Sequence, residues 1–112
     1  MTGEEFEDYL FDLFRSKGYD VFKTPTSGDF GADLILEKNG IYTAVQIKRY
    51  SRPVGLEAVQ EIVAALDYYA CKNGMVVTNE TFTHQAYLLA EANGIELWDG
   101  NRLKREIIIG GI

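Results

Sequence analysis

The chain has 112 residues, with 17 acidic against 11 basic side chains and a formal net charge of −6, which argues against indiscriminate coating of nucleic acid, because phosphate binding draws on clustered Lys and Arg. One domain of this length buries roughly two-thirds of the surface its unfolded chain exposes, so residues 1–112 are expected to form a single domain. The lone Cys71 excludes an internal disulfide, the acidic start MTGEEFEDYL is unlike a basic secretory leader, and no apolar run approaches the roughly 20 residues of a membrane span; a cytoplasmic location is expected, with no membrane partner.

Thr2-Gly3-Glu4-Glu5 has the pattern of a capping box, in which the Thr2 hydroxyl accepts from the Glu5 N–H and the Glu5 carboxylate reaches back. Phe6, Tyr9, Leu10, Leu13 and Phe14 follow on one helical face that must lie on a sheet, and Gly18 ends the helix. Glu7 adjoins that stripe at the edge of the helix–sheet contact; alone it reads equally as a solvated first-turn acid. Tyr19 to Thr24 reads as a strand with Val21 facing the core, broken by Pro25 before a Thr-Ser-Gly-Asp-Phe-Gly loop. Gly28 and Gly31 there permit close approach of backbone to a phosphate, which makes Ser27 a candidate DNA contact, although Ser before Gly is commonly a turn residue.

Ala32 to Leu36 and Ile41 to Lys48 are two strand-like runs separated by Glu37-Lys38-Asn39-Gly40, a strong reversal signal. Side chains alternate across a strand, so Ala44, Gln46 and Lys48 share one face. A hairpin that folds back brings Asp33 beside Gln46 and Lys48, gathering a carboxylate, an amide oxygen and an ammonium. Phosphodiester hydrolysis needs this mixture: Mg²⁺ takes one or two carboxylates plus waters, and the phosphorane gains negative charge that a fixed cation stabilises. Asp29 competes with Asp33 for the ion, but its place inside a turn favours bonding to its own backbone.

Arg49-Tyr50-Ser51-Arg52-Pro53 leaves the sheet as a basic loop, with Arg49 and Arg52 as candidate phosphate contacts. Leu56, Val59, Ile62, Val63, Leu66 and Ala70 give a second helix its buried face from about Gly55 to Lys72, and Asn73-Gly74 reads as its stop. Gln60 and Glu61 fall off that stripe; either is a candidate to support the site from behind its ligands, but a surface location is the expectation. Met75 to Thr78 reads as a strand buried on both faces and parallel to the Lys48 strand. Thr81 or Thr83 caps a third helix with Ala86, Leu89 and Ala90 facing inward and Tyr87 as a further candidate for that face, stopped by Asn93-Gly94. His84, the only histidine, has no partner for a metal site and reads as a surface residue. Ile95 to Trp98 forms a last strand, Asp99-Gly100 turns the chain into a short Asn101–Arg105 segment, and the apolar tail from Ile107 is expected to pack on the core, meet a second subunit or mark a cut end.

Asp33, followed after twelve intervening residues by Gln46-Ile47-Lys48, resembles the PD-(D/E)xK nuclease signature in the variant where Gln replaces the second acid. The blocks FEDYLFDLFRSKGYDV, SGDFGADLIL, VQIKRYSRPVG, MVVTNETFTHQAYLLA and GIELWDGNRL resemble the catalytic domain of Mrr-type restriction endonucleases, from about Gly3 to Leu103. The resemblance implies a restriction-endonuclease-like α/β fold, a mixed β-sheet flanked by helices in the order α-β-β-β-α-β-α-β. It implies a Mg²⁺-dependent endodeoxyribonuclease, with Mn²⁺ as a substitute. Asp33 and Gln46 then hold metal and Lys48 stabilises the developing charge. Related nucleases, including archaeal Holliday-junction resolvases, carry Gly-x-x-x-Glu at the start of the first helix, which Gly3 and Glu7 match, so Glu7 joins the metal site.

Restriction of foreign or modified DNA and cleavage of branched DNA, as in a Holliday-junction resolvase, both remain open, as does a catalytically weak DNA-binding module. Target choice is expected to come from a homodimer, a partner chain, a further domain or DNA shape. A small-molecule α/β enzyme is disfavoured by the absence of a Gly-x-Gly-x-x-Gly loop and of a nucleophile–base pair.

Overall fold

The computed structural model describes residues 1–25 and 30–110. Its centre is the hairpin that Asn39-Gly40 turns: both residues have positive φ, 55° and 78°, a two-residue reversal whose twist suits antiparallel strands. It joins β2 (Leu34–Lys38) to β3 (Ile41–Lys48), with Lys38 opposite Ile41 and Leu34 opposite Val45. β1 (Asp20–Lys23) pairs antiparallel with β2. On the other side, β4 (Asn73–Thr78) and β5 (Ile95–Trp98) add in parallel, each reached through a crossover helix, α2 (Leu56–Tyr68) and α3 (His84–Asn93). The five strands lie in the order β1-β2-β3-β4-β5.

Strand alternation divides the core into two layers. Val45, Met75 and Val77 point to the face covered by α1 (Gly3–Ser16), against Phe6, Leu10, Leu13 and Phe14. Ala44 and Val76 point to the opposite face, against Ala58, Val59, Ile62 and Ala65 of α2 and Ala86 and Ala90 of α3. β4 is covered on both sides, as its apolar run implies. The capping box starts α1: the Glu5 N–H donates to the Thr2 hydroxyl at 3.1 Å and the Thr2 N–H to the Glu5 carboxylate at 2.7 Å.

The structure departs from expectation in four places. β2 begins at Leu34, so Asp33 sits just before the strand, although its N–H continues the ladder to the Val45 carbonyl at 2.7 Å. The buried face of α2 is centred on Ala58, Val59, Ile62 and Ala65, whereas Leu56, Val63 and Leu66 lie at its margins; two alanines let the helix approach the sheet closely. That helix ends at Tyr68, with Ala70 at φ 55°, and Asn73-Gly74 opens β4 instead of stopping α2. A Cβ on Gly74 would lie 2.8 Å from the Ile95 side chain, so this glycine serves packing.

The fourth departure is a helix, α4 (Gly100–Gly110), in place of a short segment and loose tail. The Asp99 carboxylate accepts from the Arg102 N–H at 2.8 Å and starts it. Lys17 of α1 meets Glu106 at 2.6 Å, and Arg102 meets the same carboxylate at 2.7 Å. Leu103 and Ile107 pack into the α1-side core, while Ile108 and Ile109 are exposed. The observed order is therefore α-β-β-β-α-β-α-β-α. No helix among the described residues is long and apolar enough to cross a membrane.

Ala70 holds a left-handed conformation that costs an L-residue about 1–2 kcal/mol, and its side chain is exposed. Ala70→Gly is expected to stabilise the fold by about 0.5–1 kcal/mol after the entropy cost of glycine, raising the melting midpoint; a fall in that midpoint would contradict the account of how α2 ends.

Candidate active site

Asp33 is held from three directions. Its N–H donates to the Val45 carbonyl, its carbonyl accepts from the Thr24 N–H at 3.1 Å, and one carboxylate oxygen accepts from the Ile47 N–H at 2.7 Å. The Thr24 hydroxyl donates to the Ala32 carbonyl at 2.9 Å, tying the end of β1 to the same segment. The strand pairing ends at Leu34–Val45; beyond it Asp33 bonds the Val45 carbonyl through its N–H and the Ile47 N–H through its carboxylate, so it bridges either side of Gln46, whose own side chain shares the face of Ala44. Lys48 is two residues further along β3 on that face, which is the one α2 covers.

Gln46 is almost fully buried. Its side-chain N–H₂ donates to the Glu61 carboxylate at 3.4 Å, which turns its Oε1 the other way. That oxygen is buried with no hydrogen-bond partner among the described residues. The Lys48 ammonium lies 3.6 Å from the same Glu61 carboxylate. The structure thus brings Asp33, Gln46 and Lys48 together and adds Glu61, which is exposed as expected and yet reaches both Gln46 and Lys48. Glu61 stands at the exposed margin of the buried stripe Ala58, Ile62 and Ala65, and that marginal position was the signal for its reach.

Burial raises the carboxyl pKa of Asp33; the Ile47 N–H and the Lys48 charge oppose that rise, and Glu61 adds to it. Glu7, half-buried on α1, is also raised, first by burial and then by the negative charge of Asp33, with Lys23 opposing. Glu7 is therefore within electrostatic reach of Asp33, coming from the α1 side of the sheet. Two carboxyls that each resist ionisation beside one another form a site that gains from a cation.

The basic loop divides. Arg49 is exposed and follows the odd-numbered side of β3; Glu5, held low by its capping bonds to Thr2, also feels the positive charge of Arg49. Arg52 and Lys48 both lie over Tyr50: the guanidinium is 4.6 Å from the centre of its ring and the Lys48 ammonium 5.8 Å from it. Tyr50 is fixed by Asn79, whose side chain accepts from the Tyr50 N–H at 2.8 Å and donates to the Tyr50 carbonyl at 2.9 Å. Val54 is bonded to Thr81 and Thr83 at 2.8 and 2.9 Å, so both ends of the loop are pinned to the connection after β4. Nothing in the sequence pattern singled out Asn79, because a two-way bond to distant backbone has no local signature. Ser27 and Asp29 lie outside the described residues. His84 is exposed and stands at the start of α3.

The donor set suits a hard divalent cation. No group of three or more His, Cys, Asp or Glu side chains capable of holding a metal comes together among the described residues, which rules against a Zn²⁺-type cage built from them. Mg²⁺ asks for less: one or two carboxylates, neutral oxygens and retained water. Asp33 with Glu7 would supply the charge, and the buried Oε1 of Gln46, without a partner among the described residues, would supply a lone pair that otherwise costs free energy.

Residues 1–107 match the Mrr_cat family, described as restriction endonuclease. The chain is 34% identical over 112 residues to the type IV methyl-directed restriction enzyme EcoKMrr of Escherichia coli strain K12, an alignment that covers 92% of this chain and 37% of that enzyme. Among solved structures, AF1548, a protein of unknown function, superposes with a TM-score of 0.78 at 17% identity over 94% of this chain and 65% of that one. The DNA modification-dependent restriction endonuclease AspBHI gives 0.77 at 20% identity, over 96% of this chain and 31% of that one. The MspJI restriction endonuclease, solved in complex with a 27-mer oligonucleotide, gives 0.67 at 22%, over 91% and 27%. These structural likenesses establish the fold, a mixed sheet flanked by helices.

The raised carboxyls of Asp33 and Glu7 make a pH test. Folded protein binds more protons than unfolded protein between the ordinary and the raised pKa values, so their contribution to stability is present below that window and is lost as pH rises through it. Divalent-cation binding runs the other way, since it requires both groups ionised. Mg²⁺ affinity measured by calorimetry is expected to climb with pH above the ordinary carboxylate range, with proton release; a flat profile would remove these carboxyls from the ion's surroundings.

Proposed function

This chain belongs to the Mrr_cat restriction-endonuclease family, and on that premise we propose that it is the nuclease unit of a restriction-type enzyme, a Mg²⁺-dependent endodeoxyribonuclease that also accepts Mn²⁺ and hydrolyses DNA phosphodiesters by direct attack of water. The observation that carries the proposal is the convergence of Asp33, bonded to the Ile47 N–H between Gln46 and Lys48, on a buried Gln46 Oε1 that has no hydrogen-bond partner among the described residues. A bound divalent cation supplies Lewis acidity toward the phosphoryl oxygen and a lowered pKa for water.

The chain's own residues do the rest. Asp33 and Gln46, with Glu7 at the margin, hold the ion's oxygen ligands in place. Lys48 sets a positive charge against the oxygens that become more negative as the phosphorus gains a fifth ligand. Glu61, 3.6 Å from Lys48, orients that ammonium before substrate arrives, and a phosphate then competes for it. Arg52, on the Lys48 side of the loop, contacts the flanking phosphate, and Arg49 meets the backbone on the other side.

The chain spans 37% of the length of EcoKMrr. That enzyme is methyl-directed and AspBHI is modification-dependent by description, so modified DNA is the proposed target class, chosen by a further domain, a partner chain or a second copy in a homodimer. Action inside the cytoplasm follows from that role.

Supercoiled plasmid, methylated DNA and branched junctions incubated with protein and Mg²⁺ or Mn²⁺ test the proposal against EDTA and Asp33→Ala controls. Wild type is expected to cut only with metal and Asp33→Ala to stay at background; a preference for junctions would assign structure-selective cleavage instead, and binding without cutting a DNA-binding module. Lys48→Ala is expected to lower the cutting rate by about 10²–10³-fold with an unchanged circular dichroism spectrum; an unfolded variant would make Lys48 a structural residue. Gln46→Glu is expected to tighten Mg²⁺ binding in calorimetry by adding a charge beside Asp33, and equal or weaker affinity would count against Gln46 as a ligand.

A further inference from the structure

Beside the site, two aromatic rings are left in water. Phe30 is 51% and Tyr68 59% exposed, yet their rings stack in parallel, with centroids 4.0 Å apart and planes 12° from one another. Neither ring is placed by chance. Gly31, at φ 86°, lays the chain against α2 so closely that a Cβ there would stand 2.4 Å from the Glu61 carbonyl oxygen. Tyr69 meets Tyr68 edge-on at 4.9 Å. The two rings, with Gly31, Glu61 and Ala64, line a cavity of about 410 Å³.

Glu61 is a wall of this cavity and also touches Lys48 and Gln46. The cavity and the Lys48–Gln46 cluster therefore share the Glu61 side chain as a common wall. The cavity's lining narrows the occupant. A carboxylate on the wall opposes a phosphate or any other anion, and it is a poor lining for an aliphatic chain. Flat aromatic faces with a polar edge nearby match a nucleobase, whose π-face stacks on such rings whatever its identity.

We propose that this cavity receives a nucleobase unstacked from the DNA strand at the site, held against the Phe30–Tyr68 stack. The proposal rests on the reading that DNA runs past Lys48, and it adds a substrate class: in a paired duplex both faces of each base are covered by neighbours, so the cavity favours single-stranded or distorted DNA around the cut.

The test is binding in EDTA, which separates it from cutting. A short single-stranded oligonucleotide is compared with an oligonucleotide of equal length whose sugars carry no bases, so that phosphate contacts are the same. Wild type is expected to bind the base-bearing strand about 10-fold tighter, from a stacking contribution at the low end of what alanine substitution removes. Tyr68→Ala and Phe30→Ala are expected to abolish that preference and Tyr68→Phe to keep it, all with unchanged melting midpoints. Arg52→Ala is expected to weaken both strands alike. Equal binding of the two strands by wild type, or a preference that survives both alanine substitutions, would overturn the proposal while leaving the nuclease reading to the cutting assay. Self-association that depends on Tyr68 without a base preference would give the face to a second copy and overturn it as well. Failure to bind either strand would take the DNA reading down with it.

Discussion

The bond from the Ile47 N–H to the Asp33 carboxylate is the constraint on which the rest of the site depends. It joins a side chain from just before β2 to the backbone of β3 between Gln46 and Lys48. The acid therefore cannot move without the strand that carries its two partners. A carboxylate on a free loop would adapt to an ion; this one is set before any ion arrives, with Thr24 and Val45 holding its backbone on either side. The cost is burial of a charge, visible in the raised pKa of Asp33, and it is a cost that a cation relieves. Stability and function are opposed here in a way expected of catalytic sites, where desolvated acids persist because the bound state needs them.

Charge placement reconciles an acidic chain with a role at DNA. The net charge of −6 is contributed heavily by the start of α1, where Glu4 and Glu5 face solvent at the positive end of the helix dipole. Lys48 and Arg52 are gathered around Tyr50 on the other side of the sheet. Affinity from such a small cationic group is modest and falls with salt, which suits the proposed role of a nuclease unit whose target is selected elsewhere.

Much of this was legible in the sequence where local rules decide the outcome. Alternation fixed the common side of Gln46 and Lys48, and Asn39-Gly40 fixed the hairpin; the bonds that set Asp33 just before β2 beside them have no signature in strand period. The Thr2–Glu5 capping box was as local as that turn. Features set by tertiary packing were not legible. The sheet-facing side of α2 is decided by how closely Ala58 and Ala65 let it approach, and a hydrophobicity stripe weights Leu and Val over Ala, so the reach of exposed Glu61 to Gln46 and Lys48 was not read. α4 was missed because Asp99-Gly100 has turn chemistry and three successive isoleucines have no helical period; what stabilises it is the pairing of Glu106 with Lys17, a residue 89 positions away in sequence.

The Asn79 clamp has a thermodynamic corollary. A surface segment such as 49–54 normally samples many shapes, and a ligand that selects one of them loses binding free energy to the freezing-out of the rest. With Tyr50 and Val54 tied to the strand exit beside them, that disorder is already absent in the free protein. Association with a polyanion through Arg52 should accordingly proceed as rigid docking, limited by encounter and by ion displacement instead of by loop rearrangement.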